Sequence, residues 1–339
     1  MLYSIQFLRG IAALLVVMAH TAHKGNIYNT ETLSWFHIGG SGVDLFFIIS
    51  GFIMCYTTHN KNLTIISFLT LRVQRIIPLY WVFTTLALTV FVISPSLVNS
   101  SGGETSIIDS YFLIPSSAKY LVNNGWTLSY EFYYYLIFSL FLVAFSSTKL
   151  RYACIIATLL ILSSFGLMFQ PEDIVVDFLL SSWLYEFAIG VILFVAYDRG
   201  LVKANFGYIS VTLALAFLLY KNFNMEYLSG APRVISIGVP MGLLFYGFLS
   251  FEGYFKRKKH FISNLFERIG DSSYSLYLSH PFVLSPMAII ASKLGVTNSF
   301  LFGVILIGSS VFIGYATYVI IEKRIIYFTK IKLVMPSVG

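Results

Sequence analysis

The chain has 339 residues, 57% of them hydrophobic and only 11% charged, with a mean hydropathy of +0.80. Soluble globular chains carry about 25% charged residues, so this composition excludes a soluble enzyme or binding module and requires an all-α integral membrane protein. Two cysteines, Cys55 and Cys154, both in apolar runs, make neither a disulfide framework nor a zinc site, and the net charge of +7 follows from topology rather than from nucleic acid.

The first stretch, MLYSIQFLRGIAALLVVMAHTAH, is apolar from Ile5 to Ala22, with Gln6 and Arg9 near its start and His20 at its far end. Eleven positions on an α-helix turn through about 1100°, roughly 20° past three circles, and rise about 16 Å. Arg9 and His20 therefore share one helix face, a permanent cation toward one side of the bilayer and an imidazole toward the other. Ionisable groups at that depth are costly, which makes each a functional candidate, although snorkelling to the two interfaces explains either one alone. A cleavable signal peptide is the alternative for this stretch. It lacks a basic n-region, and Arg9 and His20 in phase have no use in one, so the stretch reads as a retained span.

Further apolar runs long enough to cross a ~30 Å hydrocarbon core fall near 40–58, 76–95, 129–147, 152–169, 178–197, 206–221, 234–251, 273–292 and 299–321, for ten spans with the first at 5–22. Placing the N-terminus inside puts sixteen of the 22 Lys and Arg residues in cytoplasmic connections and five outside, with Arg9 in the first span. That asymmetry supports an even number of spans with both termini cytoplasmic. One membrane domain over 1–325 and a short cytoplasmic tail, 326–339, are expected. No internal repeat is visible, nor matching broken helices in two halves, which weighs against a secondary transporter. The connection 96–128 is polar, with Ser100, Ser101, Gly102, Gly103, Glu104, Asp109 and Trp126. It reads as a flexible tether or as the shape of an outward-facing acceptor site.

Four stretches carry chemistry. In GGSGVDLFFIISGF, Gly39, Gly40, Gly42 and Gly51 suit close helix approach, and Asp44 enters the second span at a depth similar to His20. A carboxylate beside an imidazole raises its basicity and fixes its tautomer, as a general base requires. In FLTLRVQRIIPLYW, Arg72 and Arg75 share a face, suited either to phosphate or to anchoring on anionic lipid, with Pro78 marking where an interfacial helix turns into the third span. In GWTLSYEFYYYLIF, Glu131 must be paired or protonated, with His20, a sugar hydroxyl or a neighbouring tyrosine as its candidate partners, and Tyr130, Tyr133, Tyr134 and Tyr135 read as an aromatic belt. In GDSSYSLYLSHP, Pro281 follows His280 and frees carbonyls that something must satisfy. Glu322 is followed by Lys323 and Arg324, so a local ion pair accounts for it.

Together these pieces resemble membrane acyltransferase family 3, and most of all its exopolysaccharide-production, ExoZ-like branch. The likeness spans about 1–325 in the family's order, on Arg9 with His20, GVDLFFIISGF, the Arg72/Arg75 pair, WTLSYEFYYY and SYSLYLSHP. It implies an O-acyltransferase of the bacterial cytoplasmic membrane. Acetyl-CoA from the cytoplasm would be the acyl donor and co-substrate, and a sugar hydroxyl of a polysaccharide or lipid-linked oligosaccharide the acceptor, with no metal. Carried over by position, His20 and Arg9 match the first-helix pair, Arg72 and Arg75 the arginine pair of the donor side, and Glu131 the acidic position of a motif that reads WTLSYE here, with Thr127 where serine is commoner. The expected catalytic set is His20, Glu131 and Asp44, and the expected donor-binding set is Arg9, Arg72 and Arg75. A flippase for a lipid-linked sugar is the competing reading. A scaffolding subunit of a polysaccharide-synthesis complex is another.

Overall fold

The computed structural model describes residues 2–98, 103–224, 233–257 and 261–329. Ser100, Ser101, Gly102, Lys258, Lys259 and the tail beyond 329 lie outside the described residues. The described chain is helical throughout: α1 (Tyr3–Ile27), α2 (Ser41–Thr58), α3 (Ile65–Ile93), the short α4 (Pro95–Val98) and α5 (Ile107–Phe112), α6 (Gly125–Ala144) and α7 (Thr148–Phe169). Then come α8 (Ile174–Leu179), α9 (Leu184–Asp198), α10 (Ala204–Phe223), α11 (Val239–Ser250), α12 (Glu252–Arg257), α13 (Phe261–Asp271), α14 (Ser273–Lys293), α15 (Ser299–Thr317) and α16 (Lys323–Thr329). Single π-helical turns, Val234–Gly238 and Tyr318–Glu322, lead into α11 and α16.

Among the described residues, nine helical stretches have the length and apolarity to cross a bilayer, and the remaining expected span is the shorter apolar helix Val234–Ser250. Two spans differ from expectation. The third begins at Ile65 rather than near 76, because Pro78 is accommodated inside one 29-residue helix, and Arg72 and Arg75 ride on the same rod as the span. The sixth is broken between α8 and α9 where Ser163 of α7 donates to the Ser181 carbonyl at 2.8 Å.

Between apolar helices in lipid, burial gives little driving force, so close van der Waals approach holds the bundle. Small residues decide where that approach occurs. A Cβ at Gly42 would meet the Ala12 carbonyl oxygen and Val16 of α1, one at Gly39 would meet Ala19 and Leu15, and Gly51 and Gly190 bring the α2 and α9 backbones together. Close packing thus explains three of the four glycines of the second span; a Cβ at Gly40 would meet only Arg233, at 3.7 Å. Helix α1 sits centrally, against α2, α13, α14 and α15, and its N-terminus is capped from afar: the Glu252 carboxylate accepts the Tyr3 and Ser4 amides at 2.9 and 2.8 Å. Large apolar side chains such as Val92, Met168, Phe217 and Phe312 face outward, as a lipid-facing surface does.

The described part of the 96–128 connection is docked rather than a tether. Tyr80 of α3 donates to the Ser110 carbonyl at 2.6 Å, Trp81 to the Tyr111 carbonyl at 2.9 Å, and the Leu121 amide to Ser110 Oγ at 2.8 Å. Of the tyrosines read as a belt, Tyr134 and Tyr135 are core residues, and Tyr134 stacks on Phe187 with ring centroids 4.4 Å apart. The carbonyl that Pro281 leaves without its helical donor is that of Tyr277, four residues back, and the Asn124 side-chain amide satisfies it at 2.6 Å.

Candidate active site

One cavity of about 110 Å³ lies between α1, α2, α3, α6 and α14. Arg9, Arg72, Arg75 and Glu131 all line it, with Ser50, Tyr135, Tyr274 and Tyr277 among the remaining polar groups and Val43, Phe46, Ile49, Ile53, Met54 and Ile76 on its apolar walls. Arg72 and Arg75 point the same way because three residues on α3 are neighbours on one face. Arg9 is buried, with one Nη 3.5 Å from the Gln6 side-chain oxygen, and the Gln6 amide in turn donates to Asp271. Asp271 lies outside the spans, and its partial burial pushes its carboxyl above the ordinary carboxylate range while Arg9 and Lys323 pull it back.

Glu131 is held by hydroxyls: Ser50 Oγ donates to it at 2.6 Å and Tyr135 at 3.0 Å, and Arg75 and Arg9 bear on it electrostatically. Three guanidiniums against one carboxylate give the cavity a positive interior. The Arg72 Nε is buried with no hydrogen-bond partner among the described residues, so a donor is left over for a ligand. Planar guanidinium forks over an apolar slot suit an anionic headgroup with a less polar arm.

The six residues singled out from sequence therefore divide. Arg9, Arg72, Arg75 and Glu131 share the cavity; His20 and Asp44 do not line it. Asp44 is fully buried against Arg233, which donates to its two oxygens at 2.9 and 2.6 Å and lies over the Trp183 ring at 4.5 Å. Nor does Asp44 orient His20. Gly42 already faces α1, and Asp44, two positions on, is turned about 200° away from it. Glu131 does not hydrogen-bond His20 either; its two oxygens accept from Ser50 and Tyr135. Among the described residues no carboxylate hydrogen-bonds His20. Its ring neighbour is His280 of α14, with centroids 5.0 Å apart.

Glu322 also departs from expectation. It accepts the Ser275 hydroxyl at 2.5 Å and faces Arg9, while Lys323 lies over the Tyr318 ring at 4.9 Å. Adjacent helical positions point to different sides, so a sequence-local ion pair does not form. Sequence reasoning gives Gln6, Ser50, Asp271 and Ser275 no role, although all four lie in the stretches quoted above, because their partners are distant in sequence or carry no local pattern. It named Tyr274 and Tyr277 only as part of a motif, and their spacing of three on α14 was the available clue.

The cavity and the histidine pair are linked. Tyr277 lines the cavity, shares a 2.9 Å hydrogen bond with Thr127, and packs its ring 6.1 Å from that of His280. Along α1, Arg9 and His20 are separated by about 16 Å of helix rise.

A family model described as "Acyltransferase domain" matches residues 2–319. The chain is 28% identical over 301 residues to the exopolysaccharide production protein ExoZ of Rhizobium meliloti (strain 1021), covering 86% of this chain and 90% of that one. No solved structure matches it significantly.

Proposed function

The chain belongs to the acyltransferase-domain family and is a multi-pass membrane acyltransferase, and on that premise we propose that it moves an acetyl group from cytoplasmic acetyl-CoA to a sugar hydroxyl of an extracytoplasmic or lipid-linked polysaccharide. The observation that carries the reading is the cavity with its three guanidiniums, set about 16 Å down α1 from His20. CoA is an extended carrier with phosphates at one end and the thioester at the other, so it suits a site that binds anions at one depth and does chemistry at another. The relative from Rhizobium meliloti, named for exopolysaccharide production, supports a polysaccharide acceptor. The basic-residue asymmetry supports cytoplasmic termini. Arg9 then lies toward the cytoplasm, and the protein resides in the bacterial cytoplasmic membrane.

In this mechanism Arg9, Arg72 and Arg75 hold the CoA phosphates, and the thioester runs past Tyr277 toward His20. His20 takes the proton of the sugar hydroxyl as its oxygen attacks the thioester carbonyl. The new C–O bond replaces the C–S bond, and the proton passes from His20 to the departing CoA sulfur. General-base catalysis contributes about 10² to 10⁴-fold. Glu131, hydrogen-bonded to Ser50 and Tyr135, braces the donor cavity rather than the base.

The test is transfer of radiolabel from acetyl-labelled acetyl-CoA in membranes containing the protein, with glycan of the native host supplied, for the unaltered chain and His20→Ala at matched expression. Label entering the glycan only when His20 is present is the expected outcome. Near-normal transfer by His20→Ala would refute the base assignment. No label with either protein would refute acetyl-CoA as donor.

A further inference from the structure

His280 has an unusual environment for a histidine. It is fully buried on α14, its Nδ1 lies 3.1 Å from the Leu276 carbonyl oxygen, and its Nε2 is buried without any partner among the described residues. A carbonyl oxygen only accepts, so Nδ1 carries the hydrogen, and in the neutral ring Nε2 is left as an acceptor. An unpaired buried acceptor is costly, and native structures keep few without a purpose. The ring beside it is that of His20, tilted by 59° with centroids 5.0 Å apart, a separation at which two imidazoles can share a hydrogen bond.

The backbone holds His280 firmly in this pose. Pro281 follows it, the Tyr277 carbonyl one turn back is tied to Asn124 at 2.6 Å, and the Tyr277 hydroxyl is shared with Thr127 at 2.9 Å. The two carboxylates that sequence reasoning offered to His20 are engaged elsewhere, Asp44 by Arg233 and Glu131 by Ser50 and Tyr135. The role they would have filled is open, and His280 occupies the place.

We infer that His280 is the positioning residue for His20: its Nε2 accepts the N–H of one His20 nitrogen, which leaves the other nitrogen unprotonated and turned to the acceptor hydroxyl. This rests on the reading of His20 as the base. A neutral acceptor in place of a carboxylate fixes the tautomer without putting an uncompensated negative charge into the membrane interior. When His20 gains the sugar proton, the same contact spreads its positive charge over two rings. No proton crosses to His280, so the overall transfer remains balanced between sugar, His20 and CoA.

The experiment measures kcat and KM for acetyl-CoA in His280→Gln, His280→Asn and His280→Leu, each purified and checked for a monodisperse, cooperatively melting protein. Glutamine places its carbonyl oxygen near the position of Nε2; asparagine places it near Nδ1; leucine has no acceptor. Expected is a loss of kcat of about tenfold to a hundredfold in His280→Asn and His280→Leu with KM unchanged, and a His280→Gln protein within a few-fold of the unaltered chain. Equal activities in all three, an equal loss in all three, or a loss appearing in KM would overturn the inference. If His280→Leu fails to fold, the comparison of glutamine with asparagine, both polar, decides. Absence of transfer by the unaltered chain is a different result, since it removes the acetyl-CoA reading itself.

Discussion

Replacing Gly51 by alanine tests how the crossing of α2 and α9 supports the cavity. The added Cβ would fall on the Phe187 carbonyl oxygen and 3.1 Å from the Cα of Gly190, both backbone positions that no rotamer change can move. Ordinary carbon contacts need about 3.5–4 Å, so the two helices must part by about 1 Å. Overpacking of this sort costs about 1–3 kcal/mol, and the better helix propensity of alanine returns at most about 1 kcal/mol. Because both clashing atoms are backbone, the upper part of that range, about 2–3 kcal/mol, applies and the net loss is about 1–2 kcal/mol. Gly308 is the control: nothing lies within 4 Å of a Cβ built there, so Gly308→Ala keeps the propensity gain alone. Melting temperatures of the purified proteins in one detergent, at about 1.4 °C per kcal/mol for 339 residues, should fall by about 1–3 °C for Gly51→Ala and hold or rise for Gly308→Ala. Ser50 precedes Gly51 and donates to Glu131 at 2.6 Å. A 1 Å shift there should also reduce acetyl transfer, by up to about 10²-fold. Identical melting of the two variants would refute the argument that backbone contact sets this crossing.

The arginine pair should show a donor-side signature: Arg72→Lys and Arg75→Lys should raise KM for acetyl-CoA about tenfold and the alanine variants about a hundredfold, with kcat little changed, because a lysine keeps the charge and loses the fork. KM values that do not move would place the phosphates elsewhere. Arg233→Met leaves the fully buried Asp44 without its counter-charge. It should cost about 3 kcal/mol, the low end of the range for removing one partner because the Arg233 side chain is 36% exposed. The double variant Asp44→Asn/Arg233→Met should recover most of that loss in a thermal melt, and a double variant as unstable as the single one would contradict an ion-pair origin.

The chain's own order of residues determined the membrane class, the sites of most spans and the register of Arg9 with His20, because hydropathy and the helical repeat are local properties. It also placed Arg72 beside Arg75 and anticipated that Pro281 would free a carbonyl. What it left open was which faces meet. Asp44 and His20 lie at similar depths in sequence, yet Gly42 commits one side of α2 to α1 and turns Asp44 toward Arg233, nearly two hundred positions away. Glu131 goes to the arginine cavity because α6 packs on α3. Glu252 caps α1 from the far end of the chain, Asn124 satisfies Tyr277, and His280 comes to rest against His20. Each of these is a meeting of helix faces distant in sequence. Helical rotation and small-residue contacts select such meetings, and both act only once the bundle has packed.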